Sequence, residues 1–177
     1  MSDKLTADRL REVLNYDPDT GKWTWAISAG RKLAGDTAGT INGSGYIYIQ
    51  VDGKQYRSHR LAWMWMTGSF PCGQVDHVNC SRIDNRWSNL RQADSVQNKG
   101  NSPTQRNNTS GIRGVSWNKT AKRWQASLRK NGKLIHLGNF MEIEDAAAAY
   151  ASAALKHFGD FAHPSTRELV MKERADA

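Results

Sequence analysis

Residues 75–98 read VDHVNCSRIDNRWSNLRQADSVQN, a compact run of polar and ionisable side chains. His77 has an ordinary pKa of about 6.5, which suits proton abstraction near neutral pH. Asp76 beside it supplies a hard carboxylate oxygen of the kind that Mg²⁺ and Mn²⁺ prefer. Hydrolysis of a phosphodiester needs a base for water and a cation for the leaving oxygen. This segment contains residue types suited to both tasks.

Three features of the segment together resemble the HNH nuclease family: the Asp-His pair at 76–77, the run DNRWSNLR at 84–91, and the later Asn98. The resemblance is strongest to the phage homing-endonuclease branch, in which the last histidine is an asparagine. The helix start HRLA at 59–62 also resembles that branch. The resemblance implies a ββα-metal fold, in which two strands and a helix surround one divalent cation.

The same resemblance implies a role for each matching residue. His77 would be the general base, and Asn89 would bond to the imidazole or its backbone surroundings and so fix its orientation. Asp76 and Asn98 would hold the one divalent cation, Mg²⁺ or Mn²⁺. Asp94 is placed to cap the helix that presents Asn98.

The other residues of this region receive structural interpretations. We interpret His59 as a structural histidine that opens a helix, and Asp84 and Asn85 as loop-shaping residues, with a DNA contact as the alternative role. Cys72 and Cys80 form no CxxC pair and are predicted to be unpaired thiols. Cys80 stands where proteins of this family commonly have glycine, which puts the geometry of that loop in question.

Local signals divide the chain into parts. Thr6 can cap a short helix, residues 22–27 alternate as a strand, and Asp52-Gly53 is a hairpin turn signal ahead of a helix at 59–66. We predict a nuclease domain at 1–99 with a β-rich N-terminal extension, a linker at 100–111, a second domain at 112–163 and an unassigned tail at 164–177.

The second domain is predicted to have three antiparallel strands, at 112–117, 123–130 and 134–140, packed on one helix at 142–158. Asn131-Gly132 is a strong hairpin signal. In the middle strand Trp124, Ala126 and Leu128 should face the core, because alternate residues of a strand share a face. The predicted class is therefore α+β, a ββα-metal nuclease domain followed by a three-stranded sheet on one helix.

Basic residues follow these strands, and no acidic residue occurs between Asp94 and Glu142. Segments at 112–115, 123–126, 137–140 and 146–156 resemble the three-stranded DNA-binding domain of plant ethylene-response factors, which also occurs fused to phage HNH nucleases. The resemblance implies that the sheet lies in the major groove. The predicted DNA-binding residues, including neighbours of the matching positions, are Arg113, Ser116, Trp117, Lys119, Lys122, Arg123, Gln125, Ser127, Arg129 and His136.

Composition agrees with a nucleic-acid partner. The 177 residues carry a formal net charge of +8, which favours a polyanion. No run is apolar enough for a signal peptide or a membrane span, and the two cysteines argue against a disulfide framework. We expect a cytoplasmic protein, in the bacterial host if phage-encoded, that needs no organic cofactor and works as a monomer rather than a homodimer.

These observations predict a metal-dependent, sequence-recognising endonuclease of the homing type that acts on double-stranded DNA. The main alternative is a DNA-binding transcriptional regulator whose HNH part is inactive. An RNA-binding module is a third reading, which the sheet would permit and the family resemblance disfavours.

Overall fold

The computed structural model describes residues 5–102, 104 and 107–175, so positions 103, 105 and 106 of the predicted linker lie outside the described residues. The chain divides into two compact units, Met1–Ala93 and Asp94–Ala177. The predicted nuclease domain ended at residue 99, whereas the units divide between residues 93 and 94. Both helices and strands occur in each unit, as expected of an α+β chain.

The described residues of the first unit, 5–93, form two helices, seven short strands and one 3-10 turn. In chain order its elements are α1 (Ala7–Val13), β1 (Leu14–Tyr16), β2 (Trp23–Trp25), β3 (Thr40–Ile41), β4 (Ile47–Val51), β5 (Lys54–Arg57), α2 (Ser58–Thr67), β6 (Gln74–His77), the 3-10 turn Trp87–Asn89 and β7 (Leu90–Ala93). The strands form three antiparallel sheets, ordered β1-β2, β3-β4-β5 and β6-β7.

The core of the first unit lies between α1, α2 and these sheets. Leu10, Leu14, Ile49 and Leu61 are fully buried there. The Trp23 ring packs edge-on against another tryptophan ring of the unit. As predicted, Thr6 caps α1, because its side chain accepts a hydrogen bond from the backbone N–H of Arg9.

The candidate nuclease segment forms a two-stranded ladder. β6 and β7 are antiparallel, with Asp76 opposite Arg91 and His77 opposite Leu90. The backbone N–H of Val78 donates to the carbonyl of Asn89 at 2.9 Å, so residues 78–89 form a closed loop at the end of the ladder. This loop carries the residues that surround His77.

The second unit contains α3 (Ser95–Gly100), β8 (Val115–Asn118), β9 (Arg123–Lys130), β10 (Lys133–Phe140), α4 (Ile143–Phe158), the 3-10 turn Gly159–Phe161 and α5 (Pro164–Ala175). The three strands form one antiparallel sheet in the order β10-β9-β8. The α4 helix packs on this sheet through the small residues Ala146 and Ala154 and through the larger Tyr150. Residues 164–177, left unassigned from the sequence, contain α5.

One strand of the second unit begins later than predicted, at Val115 rather than residue 112. The Ser110 hydroxyl donates to the carbonyls of Ile112 and Val115, so the chain turns before the strand starts. Gly114 has a φ of +71° and lies against Tyr150 of α4, where no side chain would fit. None of the helices in the described part of the chain is long and apolar enough to cross a membrane.

Candidate nuclease centre and DNA-reading face

His77 is buried at the end of β6 among other rings and an amide. Its Nε2 lies 3.1 Å from Oδ1 of Asn85, which is also buried. The His59 ring stands edge-on to the His77 ring with centroids 5.0 Å apart. The Tyr46 ring centroid lies 6.2 Å from that of His77 and 5.3 Å from that of His59. The predicted base therefore has a fixed environment within the first unit.

Asn85 is held in place by the N-terminal hairpin of β1 and β2. The Tyr16 hydroxyl donates to the Asn85 carbonyl at 2.6 Å in a buried contact. Gly21 lies so close to the Asn85–Arg86 peptide that a Cβ would be 2.4 Å from its atoms. The Asn85 Nδ2 donates to the carbonyl of Ile83 at 3.4 Å, which turns Oδ1 towards His77.

Asn89 fixes the loop that follows His77. Its Nδ2 donates to Oδ1 of Asn79 at 2.9 Å and to the carbonyl of Asp84 at 2.8 Å. Its Oδ1 accepts from the backbone N–H of Asn79 at 3.0 Å. The resemblance predicted bonds to the imidazole or to its backbone surroundings, and these bonds go to the surrounding loop. The imidazole is contacted instead by Asn85, a role that the sequence does not predict for it.

Cys80 occupies this loop in a left-handed conformation, with a φ of +62°. Glycine adopts that conformation without steric cost, whereas other residues are strained in it. A glycine would therefore suit the backbone at this position, and the chain adopts the left-handed conformation with a cysteine. Its backbone N–H donates to the His77 carbonyl at 2.9 Å.

Asp76, the predicted metal ligand of β6, forms an ion pair across the ladder. Its Oδ2 accepts from Nε of Arg91 at 2.9 Å and lies 2.8 Å from Nη2 of the same side chain. Asp76 and His77 thus have separate polar partners, as expected of neighbouring strand residues that point to opposite faces. A carboxylate has about four acceptor positions, so this ion pair and coordination of a cation are compatible.

Burial sets the charge state of both histidines. It lowers the pKa of His77 below its ordinary value, although the Asn85 hydrogen bond and the Asp76 charge act in the opposite direction. Burial, helped by the nearby His77, lowers the pKa of His59 to about 3. Both rings are therefore neutral at neutral pH, and a neutral imidazole is the form that can accept a proton.

Asn98, the second predicted metal ligand, lies on α3 of the second unit. Asp94 caps this helix as predicted, because its Oδ1 accepts from the backbone N–H groups of Val96 and Gln97 at 2.7 and 2.8 Å. Gln97 completes a capping box by accepting the Asp94 backbone N–H. The helix that presents Asn98 thus begins where the sequence predicted.

The donor types fit a hard divalent cation. A carboxylate and an amide oxygen are ligands that Mg²⁺ takes, and Mg²⁺ usually keeps several waters beside one or two protein oxygens. Across residues 5–102, 104 and 107–175, no group of three or more His, Cys, Asp or Glu side chains is arranged to hold a metal ion. A site made of one aspartate and one asparagine has only one side chain of these four types, so this absence does not bear on it.

The outer face of the sheet in the second unit brings together several predicted DNA-binding residues. Ser116 lies opposite Gln125 and Ser127 opposite His136, and residues paired in this way point to the same face. The Gln125 Nε2 lies 3.1 Å from Nδ1 of His136. Arg129 lies on this face too, because Ala126 and Leu128 between these residues are buried against α4.

The remaining predicted DNA contacts fall at several places in the second unit. Arg123 shares the outer face, while Lys119 and Lys122 lie in the turn between β8 and β9. Trp117 pairs with Trp124 and their rings are 5.1 Å apart, so it belongs to the helix-facing side although it is 44% exposed. The Arg113 guanidinium donates to the carbonyls of Lys99, Gly100 and Ser102, so a phosphate would compete with these bonds.

Comparisons with known proteins bear on both units. A family model described as HNH endonuclease matches residues 56–99. Protein 3.8 of Escherichia phage T7 is 31% identical over 110 residues, which is 62% of this chain and 90% of that protein. A protein of Acanthamoeba polyphaga mimivirus, named an uncharacterized HNH endonuclease, is 34% identical over 124 residues, 69% of this chain and 63% of its own length. No solved structure matches the chain.

Proposed function

The chain carries an HNH endonuclease domain and belongs to the same family as phage protein 3.8, and from that premise we propose that it is a metal-dependent, sequence-recognising DNA endonuclease of the homing type. The observation that carries the proposal is the buried imidazole of His77, held at Nε2 by the Asn85 amide. A neutral, oriented imidazole suits removal of a proton from water during hydrolysis of a phosphodiester.

His77 is proposed to be the general base. With the Asn85 oxygen as the partner of Nε2, that nitrogen carries the hydrogen and Nδ1 carries the lone pair. Nδ1 then takes a proton from water as the oxygen attacks phosphorus. The bond from phosphorus to the 3′ oxygen breaks, leaving a 5′ phosphate, and the departing 3′ oxygen takes a proton from solvent water to become a 3′ hydroxyl. Asn89 supports this geometry indirectly, through the loop that follows His77.

Asp76 and Asn98 are the proposed holders of one divalent cation, Mg²⁺ or Mn²⁺. When bound, the cation would supply positive charge to the phosphate and to the leaving oxygen. In the full chain, Asp76→Asn should weaken Mn²⁺ binding, followed by the loss of the free-ion signal in electron paramagnetic resonance. Asp84→Asn, which alters a carboxylate paired with Arg86, is the matched control and should bind Mn²⁺ as the wild type does.

The second unit is proposed to read duplex DNA. The outer face of its sheet carries polar and basic side chains beside the exposed Leu134, and the polar and basic groups suit a groove lined by base edges and phosphates. Groove contacts are assigned to Ser116, Gln125, Ser127, Arg129 and His136. Phosphate contacts are assigned to Lys119, Lys122 and Arg123, with Arg113 and Trp117 at the margin.

The proposed enzyme acts as a monomer, without an organic cofactor, in the cytoplasm, which is that of the bacterial host if the protein is phage-encoded. Supercoiled plasmid carrying phage DNA, with Mg²⁺ or with EDTA, tests the activity. We expect metal-dependent nicked or linear product that disappears in His77→Ala and persists in His157→Ala, a histidine of the second unit. An intact plasmid together with salt-sensitive duplex binding would instead support a DNA-binding regulator with an inactive HNH domain.

A further inference from the structure

Two arginines approach the same tyrosine ring near His77. The guanidinium carbons of Arg57 and Arg82 each lie 4.9 Å from the centroid of Tyr46. That ring is 6.2 Å from the His77 ring. Arg57 ends β5 and Arg82 lies in the loop after β6, so two separate elements each place a cation against the Tyr46 ring. We call Arg57 and Arg82 the arginine pair.

The arginine pair is exposed and carries charge that the described part of the chain does not neutralise. Neither guanidinium forms an ion pair with a carboxylate there. Neighbouring arginines differ in this respect, because Arg86 pairs with Asp84 and Arg91 with Asp76. An anionic ligand near Tyr46 would be attracted to both of these cations.

Each guanidinium of the pair also donates one hydrogen bond within the first unit. The Arg57 Nε donates to the Tyr48 hydroxyl at 2.9 Å, which lowers the pKa of that tyrosine. The Arg82 Nη1 donates to the Ser44 carbonyl at 2.8 Å. These bonds use one nitrogen of each side chain, and a guanidinium has five N–H donors in a rigid fork. The remaining donors suit phosphate oxygens.

Resting on the endonuclease assignment, we propose that the arginine pair binds phosphates of the DNA strand that passes His77, on either side of the bond to be cut. Tyr46 acts as the platform that keeps the two cations in place, because a guanidinium stacks well on an aromatic ring. The sequence resemblance nominated no residue of the first unit for DNA backbone contact, so this is a second DNA-contacting surface.

Salt dependence of duplex binding tests the arginine pair in the full chain. The logarithm of the affinity for duplex DNA falls linearly with the logarithm of the salt concentration. The slope of this line steepens by about 0.9 for each phosphate that the protein contacts. Between about 50 and 200 mM salt we expect Arg57→Gln and Arg82→Gln each to reduce the slope by about 0.9, and the double variant by about twice that. Arg9→Gln, which removes a cation already paired with Asp52, should keep the wild-type slope.

The DNA is a duplex centred on the nick mapped on plasmid, with binding measured in EDTA. A double variant with the wild-type slope would overturn the proposal, even if the wild-type chain nicks that duplex. If the chain nicks no DNA, the endonuclease assignment falls. The slope measured on a short mixed-sequence duplex then still decides whether the arginine pair binds phosphate.

A second measurement leaves the protein unchanged and so guards against variants that do not fold. Single uncharged methylphosphonate linkages are placed along the cut strand of the duplex. When the methylphosphonate replaces a contacted phosphate next to the nick, the salt dependence of wild-type binding should become shallower by about 0.9 in slope. If every duplex with a methylphosphonate near the nick gives the same salt-dependence slope as the unmodified duplex, the arginine pair does not bind phosphates there.

Discussion

Asn85 illustrates how one side chain can set the state of another. Its amide oxygen holds Nε2 of His77, so the hydrogen and the lone pair of the ring occupy defined nitrogens. Asn85→Leu should therefore lower the nicking rate about 10- to 100-fold, the range seen when orienting partners are removed. Duplex affinity should stay at the wild-type level. Single-turnover nicking with excess enzyme measures the rate.

Two companions of Asn85→Leu separate orientation from folding. Asn85→Asp keeps an oxygen acceptor and should cut faster than Asn85→Leu. Tyr16→Phe removes only the hydroxyl that holds the Asn85 carbonyl and should cause a smaller loss. Asn85→Leu cutting at the wild-type rate would show that His77 does not need this partner.

His59 makes stability depend on pH. Its pKa is about 3 in the folded chain and about 6.5 in the unfolded chain, so only the unfolded chain takes up the proton between these values. Stability should therefore fall as pH decreases below 6.5. His59→Gln should flatten this dependence by up to about 1.4 kcal/mol per pH unit.

Urea unfolding between pH 4.5 and 6.5, followed by tryptophan fluorescence, measures the effect of His59. This window lies above the range in which Asp84, whose pKa is lowered to about 2 by Arg86, contributes. His136→Gln, at an exposed position of the second unit, should keep the wild-type slope. Equal slopes for His59→Gln and wild type would contradict the buried, neutral state of His59.

The site was predictable from the sequence where the signal is local. Asp94 capping α3 follows from residues within one helical turn. The Asn85–His77 contact was not predictable, because it depends on Gly21 and on Tyr16, which lies 69 residues before Asn85 in the chain. The ring contact between His59 and His77 is also tertiary, and a histidine at a helix start carries no local sign of it.

At the scale of elements, hairpin turns followed their local signals closely. Asp52-Gly53 and Asn131-Gly132 both have positive φ at the two turn positions, as such turns require. The alternation in β9 also correctly predicted its buried face. The predicted start of β8 at residue 112 was wrong, because the strand begins at Val115. The conformation of Gly114 before it is set by packing against α4 rather than by its neighbours in sequence.

Gly114 should be far less tolerant of substitution than other turn glycines. A Cβ there would lie 2.1 Å from the Tyr150 ring and 2.7 Å from the Ser127 carbonyl, at a φ of +71°. Gly114→Ala should cost about 2 to 4 kcal/mol, since backbone strain and overpacking add. Gly132→Ala has the same sign of φ and nothing within 4 Å, so its cost should be only about 1 kcal/mol.

Hydrogen exchange of the β9 amides reports the stability of the second unit directly. Gly114→Ala should accelerate this exchange much more than Gly132→Ala does. Equal acceleration would mean that left-handed strain alone matters at both positions, and that Tyr150 yields to the added methyl group.

At the scale of the whole molecule, the chain combines one His77 centre with a net charge of +8. A monomer with one centre should cut one strand per encounter. At limiting enzyme the first product from supercoiled plasmid should therefore be the open circle, with linear DNA appearing later. Agarose gels over a time course resolve the two forms, and linear DNA without a nicked precursor would indicate two centres acting together.

The contact between the N-terminal hairpin and Asn85 limits how the nuclease can be transplanted. The matched family segment begins at residue 56, whereas Tyr16 and Gly21 lie well before it. A cassette cut at residue 56 and fused to another DNA reader would keep His77 but lose the support of its orienting amide. A transferable nuclease module should instead start before α1, so that it includes the β1–β2 hairpin that holds Asn85.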